Sequence, residues 1–400
     1  MPDPMSDPSR RAPRVVFSRE DRVMGVLLLL VPATIVSTAV GAPSWVQFFL
    51  SVGAVIPLAA FIGTATEVLA NRLGGKIGGL LNATFGNAPD ILVGVFGVQK
   101  GLIPLVKATL VGALISNSAL IMGICYVVAG LTYGRPRFKR DEAGHHSVLM
   151  MLTLAAVLFP SLGATLGGHA SAQTIQGISV GIAVVLLLIY AAYVAFGIFG
   201  IETLGRRATP RREGREAHMA VEEGRDREST GWPVWLGVAV LIGATVALIP
   251  ITNTLTDTVT AVTHVLGWTD VFVGIVIVAN AGNVAEAYAA IRFARSRAGR
   301  PEDAPGGDSG LDLALGIASA SSVQIATFVA PVIVLYSLFA HPMTLVFSPV
   351  EIAILGLLVV MFAYIGQDGE SNWLEGAQLL ALYAMAAIIF FALPVSAFAG

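Results

Sequence analysis

The sequence is poor in charge, in cysteine and in histidine, and each shortage removes a class of function. Asp, Glu, Lys and Arg make up only 12% of the 400 residues, about half the ~25% usual in soluble domains. A single cysteine, Cys125, lies in an apolar run, so no internal disulfide can form and its role is small-residue packing. No histidine falls in the middle of an apolar segment, which leaves Zn or Cu without imidazole ligands. No basic stripe with interleaved aromatics runs along the chain and the formal net charge is −2, so nothing points to nucleic acid.

What is present is hydrocarbon. Hydrophobic residues reach 55% and the mean hydropathy is +0.77. A span needs roughly 20 mostly apolar residues to cross the ~30 Å core of a bilayer. Eleven segments qualify: 23–41, 45–70, 75–99, 102–131, 147–167, 174–203, 233–254, 268–294, 311–339, 348–366 and 374–397. The fold class expected is an all-α polytopic membrane protein. With the N-terminus in the cytoplasm, 22 of the 24 Lys and Arg residues fall on the cytoplasmic side, and only Lys100 and Lys107 fall opposite, as the positive-inside tendency requires. The C-terminus then lies on the opposite side, and a plasma (inner) membrane is expected. The first span has arginines before it and a small-residue stretch after it, as a cleaved signal does, but Pro43 directly beyond favours a retained helix.

The chain divides accordingly. A cytoplasmic tail covers 1–22 and the first helix 23–41; five helices follow in 45–203, then a linker at 204–232 and five more helices in 233–397. The linker mixes seven arginines with six acids across 204–231 and reads as a solvated connection. Residues 298–310, rich in Pro and Gly, read as a loop.

Two stretches then conflict with their surroundings. Gly86-Asn87-Ala88-Pro89-Asp90 interrupts the third span, and Gly282-Asn283-Val284-Ala285-Glu286 interrupts the eighth. Each span is followed by one rich in small and hydroxyl residues. Five helices separate the copies, so equivalent helices cross in opposite directions, the inverted repeat of secondary transporters. A carboxylate at the bilayer centre costs at least ~2.5–3.5 kcal/mol and by default marks a functional site. Asn87 shares a helix face with Asp90, and Asn283 with Glu286, by their spacing of three. Pro89 removes an amide and is expected to free a carbonyl near Phe85. Two carboxylates, amide oxygens and freed carbonyls are the hard donors that Ca²⁺ takes. Asn82, Ser118 and Asn280 are read instead as helix–helix hydrogen-bonding groups.

These residues resemble a known family. FGNAPD with the preceding GGLLNAT, and VGIVIVANAGNVAE, look like the paired signatures of the calcium/proton (cation/proton) exchangers, within the calcium:cation antiporter superfamily. SASSVQIATFVAPVIVL and DGESNWLEGAQLLALYAMAAIIFF resemble two further stretches, and the likeness covers nearly all of 23–397. It implies eleven helices, an hourglass of inverted repeats and alternating access. It places Asp90 and Glu286 as the central carboxylates holding Ca²⁺ or protons, with Asn87 and Asn283 as paired ligands. Ser116, Ser321 and Gln324 line the site, and Glu67 matches an accessory acid. The chain departs from the family where Thr-Glu becomes Pro89-Asp90, and at Ala113, Ala287 and Asn253. The shorter Asp90 implies a water filling the gap or a changed selectivity.

The activity expected is exchange of Ca²⁺ for protons, with no cofactor: one Ca²⁺ or two protons neutralise the same pair of acids. A Na⁺/Ca²⁺ exchanger is the alternative, because the same oxygens suit Na⁺. The partners expected are the two ions and the lipid bilayer; a homo-oligomer is left open.

Overall fold

The computed structural model describes residues 19–74, 80–82, 84–138, 140–166, 171–197, 232–295 and 310–393. The tail through residue 18, the linker over 204–231 and the loop over 298–309 lie outside them. The described chain is helical apart from short connections and one isolated bridge between Arg137 and Glu370, as hydrocarbon demands: with no water to bond the backbone, each spanning segment must satisfy its own amides and carbonyls.

In chain order the helices are α1 (Arg19–Leu27), α2 (Leu30–Ala39), α3 (Ser44–Leu73) and α4 (Ala88–Gln99). α5 (Ile103–Tyr133), α6 (Arg140–Leu166), α7 (Ala172–Gly197) and α8 (Val234–Leu266) follow. The last are α9 (Asp270–Gly282), α10 (Val284–Arg295), α11 (Gly310–Ser337), α12 (Pro349–Ile365) and α13 (Trp373–Ala392). Among the described residues, eight helical segments are long and apolar enough to cross a membrane, with α1 and α2 counted as one. α9 and α10 together make a ninth, bent by 63° at Asn283, and α4 and α12 are shorter apolar helices.

Two elements differ from the sequence expectation. α8 runs to Leu266, twelve residues past the expected end at 254. The run TNTLTDTVT looks too polar for a span, but its threonines donate to carbonyls one turn back: Thr252 to Leu248, Thr256 to Thr252 and Thr258 to Thr254. The hydroxyls are satisfied within the helix, and the helix stops only at Gly267, in the left-handed conformation with φ 68°. Pro89, expected to free a carbonyl inside a helix, instead stands in the first turn of α4. There a missing amide costs nothing, because that amide has no intrahelical partner.

The packing pairs correspond between the two halves. α3 lies along α8, and α6 along α12. α4 packs on the last part of α11, and α10 on the last part of α5; α7 covers that part of α11 as α13 covers that part of α5. α5 and α11 therefore form the centre. Both contain a π-helical stretch, Ser116–Ile121 in α5 and Ile325–Val329 in α11.

α5 and α9 cross at glycines on both sides. A Cβ added at Gly112 would lie 2.5 Å from the Ile275 Cα, and one at Gly274 would lie 2.8 Å from the Ala108 Cβ. Cys125 is fully buried in the central cluster.

Candidate functional site

The two interrupted stretches adopt the same local structure. Asn87 has φ −90° and ψ 9°, and Asn283 has φ −91° and ψ 7°. Each is the joint from which a new helix starts, α4 at Ala88 and α10 at Val284, and each acid is the third residue of that helix. Asp90 and Glu286 thus occupy first turns, where the helix dipole favours negative charge.

The joints face each other. A Cβ added at Gly282 would stand 3.1 Å from the Asp90 Oδ1 and 3.8 Å from the Pro89 Cβ, so only glycine admits the carboxylate this closely. Asp90 thus stands against the joint from which the Glu286 helix starts. Asn87, Asp90 and Asn283 are buried, and Glu286 is half-buried.

The neutral residues are tied in around them. The Asn87 amide nitrogen donates to Gln324 Oε1 at 2.7 Å. Ser116 donates to Asn280 Oδ1 at 2.6 Å, and Asn117 donates to Ser321 Oγ at 2.9 Å. Gln324 therefore meets the site through Asn87, and Ser116 and Ser321 bridge helices at its edge. Glu67 is half-buried on α3, one turn beyond Gly63, where an added Cβ would lie 4.0 Å from the Ala285 Cβ. Gly63, rather than Glu67 itself, is the α3 residue seen against the second joint.

Two buried amide atoms here make no hydrogen bond among the described residues, Asn283 Nδ2 and Asn117 Oδ1. Such atoms cost roughly 1–3 kcal/mol each when buried unpaired and concentrate where function needs them. Among the described residues no three His, Cys, Asp or Glu side chains cluster; the oxygens gathered here belong to two carboxylates and to neutral amide and hydroxyl groups. That donor set fits hard ions.

The residues read as helix-bridging do bridge helices. Thr66 of α3 approaches Asn82 Oδ1 at 3.4 Å, and Ser118 lies 3.3 Å from Ser322 Oγ. Asn280 contacts both Ser116 and Tyr383.

The model of the family described as "Sodium/calcium exchanger protein" matches this chain twice, over residues 43–199 and 236–392, on either side of the linker. The chain belongs to that family. Within it, the chain is 35% identical over 365 residues to the Ca²⁺/H⁺ antiporter ChaA of Bacillus subtilis (strain 168), covering 91% of this chain and 97% of that one. It is 34% identical over 357 residues to the Ca²⁺/H⁺ antiporter of Aphanothece halophytica, covering 88% and 91%. The solved structure of native YfkE superposes with a TM-score of 0.75 at 32% identity, over 92% of this chain and all of the other. The calcium/proton exchanger resemblance read from the signature stretches thus stands.

Sequence reasoning read Asn280 of this exchanger-family chain as a helix–helix hydrogen-bonding group, without naming its partners, and gave Asn117 and Tyr383 no part. The signal for Asn280 was its spacing of three before Asn283, the same spacing that ties Asn283 to Glu286. For Tyr383, 103 residues away from Asn280, no local signal existed.

Proposed function

We propose that this protein exchanges Ca²⁺ for protons across a membrane by alternating access, through one site shared by both ions. The observation that carries this reading is the pair of Asn-x-x-acid joints of equal backbone geometry, with Asp90 seated against Gly282. Ca²⁺/H⁺ antiport by the similar proteins supports it.

In this reading Asp90 and Glu286 hold either one Ca²⁺ or two protons, and Asn87 and Asn283 supply neutral oxygens. Ser116, Ser321 and Gln324 surround them, with Glu67 as an accessory acid toward the cytoplasm. Each occupant excludes the other, since both use the same oxygens. An empty pair of charged acids in low dielectric is costly, so the site changes faces loaded. No cofactor takes part.

The architecture in this proposal is eleven spans: α1–α2 as the first, then two inverted five-helix units. The eight long segments, the bent pair and the two short apolar helices support that count, and the matched packing pairs and the double family match support the repeat. The N-terminus is cytoplasmic, the C-terminus is on the opposite side, and the membrane is the plasma (inner) membrane.

The test is ⁴⁵Ca²⁺ uptake into proteoliposomes under an imposed pH gradient, with and without Na⁺. Uptake should follow the pH gradient, and more protons on the loading side should raise the apparent KM for Ca²⁺ at little change in maximal rate. Asp90→Asn and Glu286→Gln should each abolish exchange while the protein stays folded. Uptake driven by Na⁺ with pH clamped equal would replace this reading by Na⁺/Ca²⁺ exchange.

A further inference from the structure

Asn280 is held at all of its polar atoms. Its amide nitrogen donates to the Val276 carbonyl at 2.7 Å and to the Tyr383 hydroxyl oxygen at 2.7 Å, and its Oδ1 accepts from Ser116 at 2.6 Å. Both amide protons are therefore spent. Turning the amide over would set its oxygen against the Val276 carbonyl, so the orientation has one solution. An amide oxygen has no proton to give, and Ser116 must donate.

The consequence falls on Ser116, which is fully buried. A hydroxyl carries one proton and two lone pairs. With the proton committed to Asn280, the oxygen can offer only lone pairs to anything else, which suits a cation and rejects a hydrogen-bond acceptor. Ser321 has the opposite polarity: it accepts from Asn117 at 2.9 Å, and that bond leaves its own proton unassigned. Nor does the first joint repeat the arrangement. Thr84, three residues before Asn87 as Asn280 is three before Asn283, donates to Leu80 in its own helix at 2.9 Å. The lock exists on one side only.

We infer that Asn280, anchored by the Tyr383 hydroxyl of α13, is a positioning residue that fixes Ser116 as an acceptor-only ligand for the transported cation. The inference rests on the exchange reading for the presence of a cation beside Ser116. Tyr383 acts through Asn280, and neither residue touches the ion. Outer hydrogen-bond partners of metal ligands typically change affinity 10–100-fold when removed, and fixing a ligand in advance spares the ion the cost of ordering it.

The test is a double-mutant cycle read by equilibrium ⁴⁵Ca²⁺ binding to the purified full-length protein, which is independent of the ion that drives transport. Asn280→Leu should weaken binding about tenfold, at the lower end of that range, and Tyr383→Phe by a smaller factor. In a Ser116→Ala background neither should weaken it further. Were Asn280→Leu to misfold, Tyr383→Phe keeps the ring and carries the same cycle alone. Wild-type affinity in Tyr383→Phe, or an equal loss with and without Ser116, would overturn the inference by reducing both residues to packing. Wild-type transport indifferent to the pH gradient would instead overturn the exchange reading and leave the cycle standing.

Discussion

Gly282→Ala adds one methyl group at the point where the two joints meet. Gly282 is not among the glycines with positive φ, so alanine fits the backbone, and in a helix it is favoured over glycine by roughly 0.5–1 kcal/mol. The protein should therefore fold at least as well. The new carbon would stand 3.1 Å from the Asp90 Oδ1, with the Pro89 Cβ at 3.8 Å behind. The carboxylate has to retreat by a few tenths of an ångström, which is as wide as the whole 2.3–2.6 Å window for Ca²⁺–oxygen bonds. A weakened ligand of this kind is worth about 1–2 kcal/mol, a factor of 5–30. The apparent KM for Ca²⁺ in proteoliposome uptake should rise by that factor, and the larger Sr²⁺ should compete better against Ca²⁺ than it does in wild type. Gly163→Ala, where an added Cβ meets nothing within 4 Å, is the silent control. A Gly282→Ala protein with wild-type KM and unchanged Sr²⁺ competition would refute the idea that Asp90 meets the ion from its place beside Gly282.

Asp90→Glu lengthens the same carboxylate toward Gly282; uptake assays with Ca²⁺, Sr²⁺ and Mn²⁺ should show a changed order of preference more than lost activity. Ser348→Ala removes the capping box at α12, where Ser348 and Glu351 bond each other's backbone amides; thermal melting in detergent should show a loss of about 1 kcal/mol while transport remains. Lys100→Met breaks a 2.8 Å ion pair with Asp257 and the bonds to Asn253 and Thr256. Because the Asp257 side chain is 54% exposed, the cost should be about 1 kcal/mol or less, and the salt dependence of the wild-type melting temperature should shrink in the variant.

The acids could be read from sequence because hydrocarbon penalises them; Asp90 and Glu286 stand out against their neighbours without any knowledge of the fold. Asn87 and Asn283 followed by spacing. The end of α8 was not legible, since a threonine run looks like a loop until its hydroxyls are seen to bond one turn back. Pro89 misled for a related reason: its effect depends on whether a helix passes through it or starts beside it, and only the joint at Asn87 decides that. The π-helical stretches in α5 and α11 leave no mark in the residue pattern. Asn280 shows the deeper limit. Its role follows from the direction of three hydrogen bonds, one of them to Tyr383 on a helix far along the chain, and direction is not a property of residue type.

The glycine crossing of α5 and α9 works as a dovetail. Gly112 meets Ile275, and Gly274 meets Ala108, with no clearance for even one carbon. A sliding or rolling motion of one helix past the other would drive backbone into backbone. The crossing therefore holds α5 and α9 together as a single strut in this structure. The 63° bend after α9 sets Glu286 on a helix of its own, α10, outside this crossing, while Ser116 and Asn280 sit on its two members.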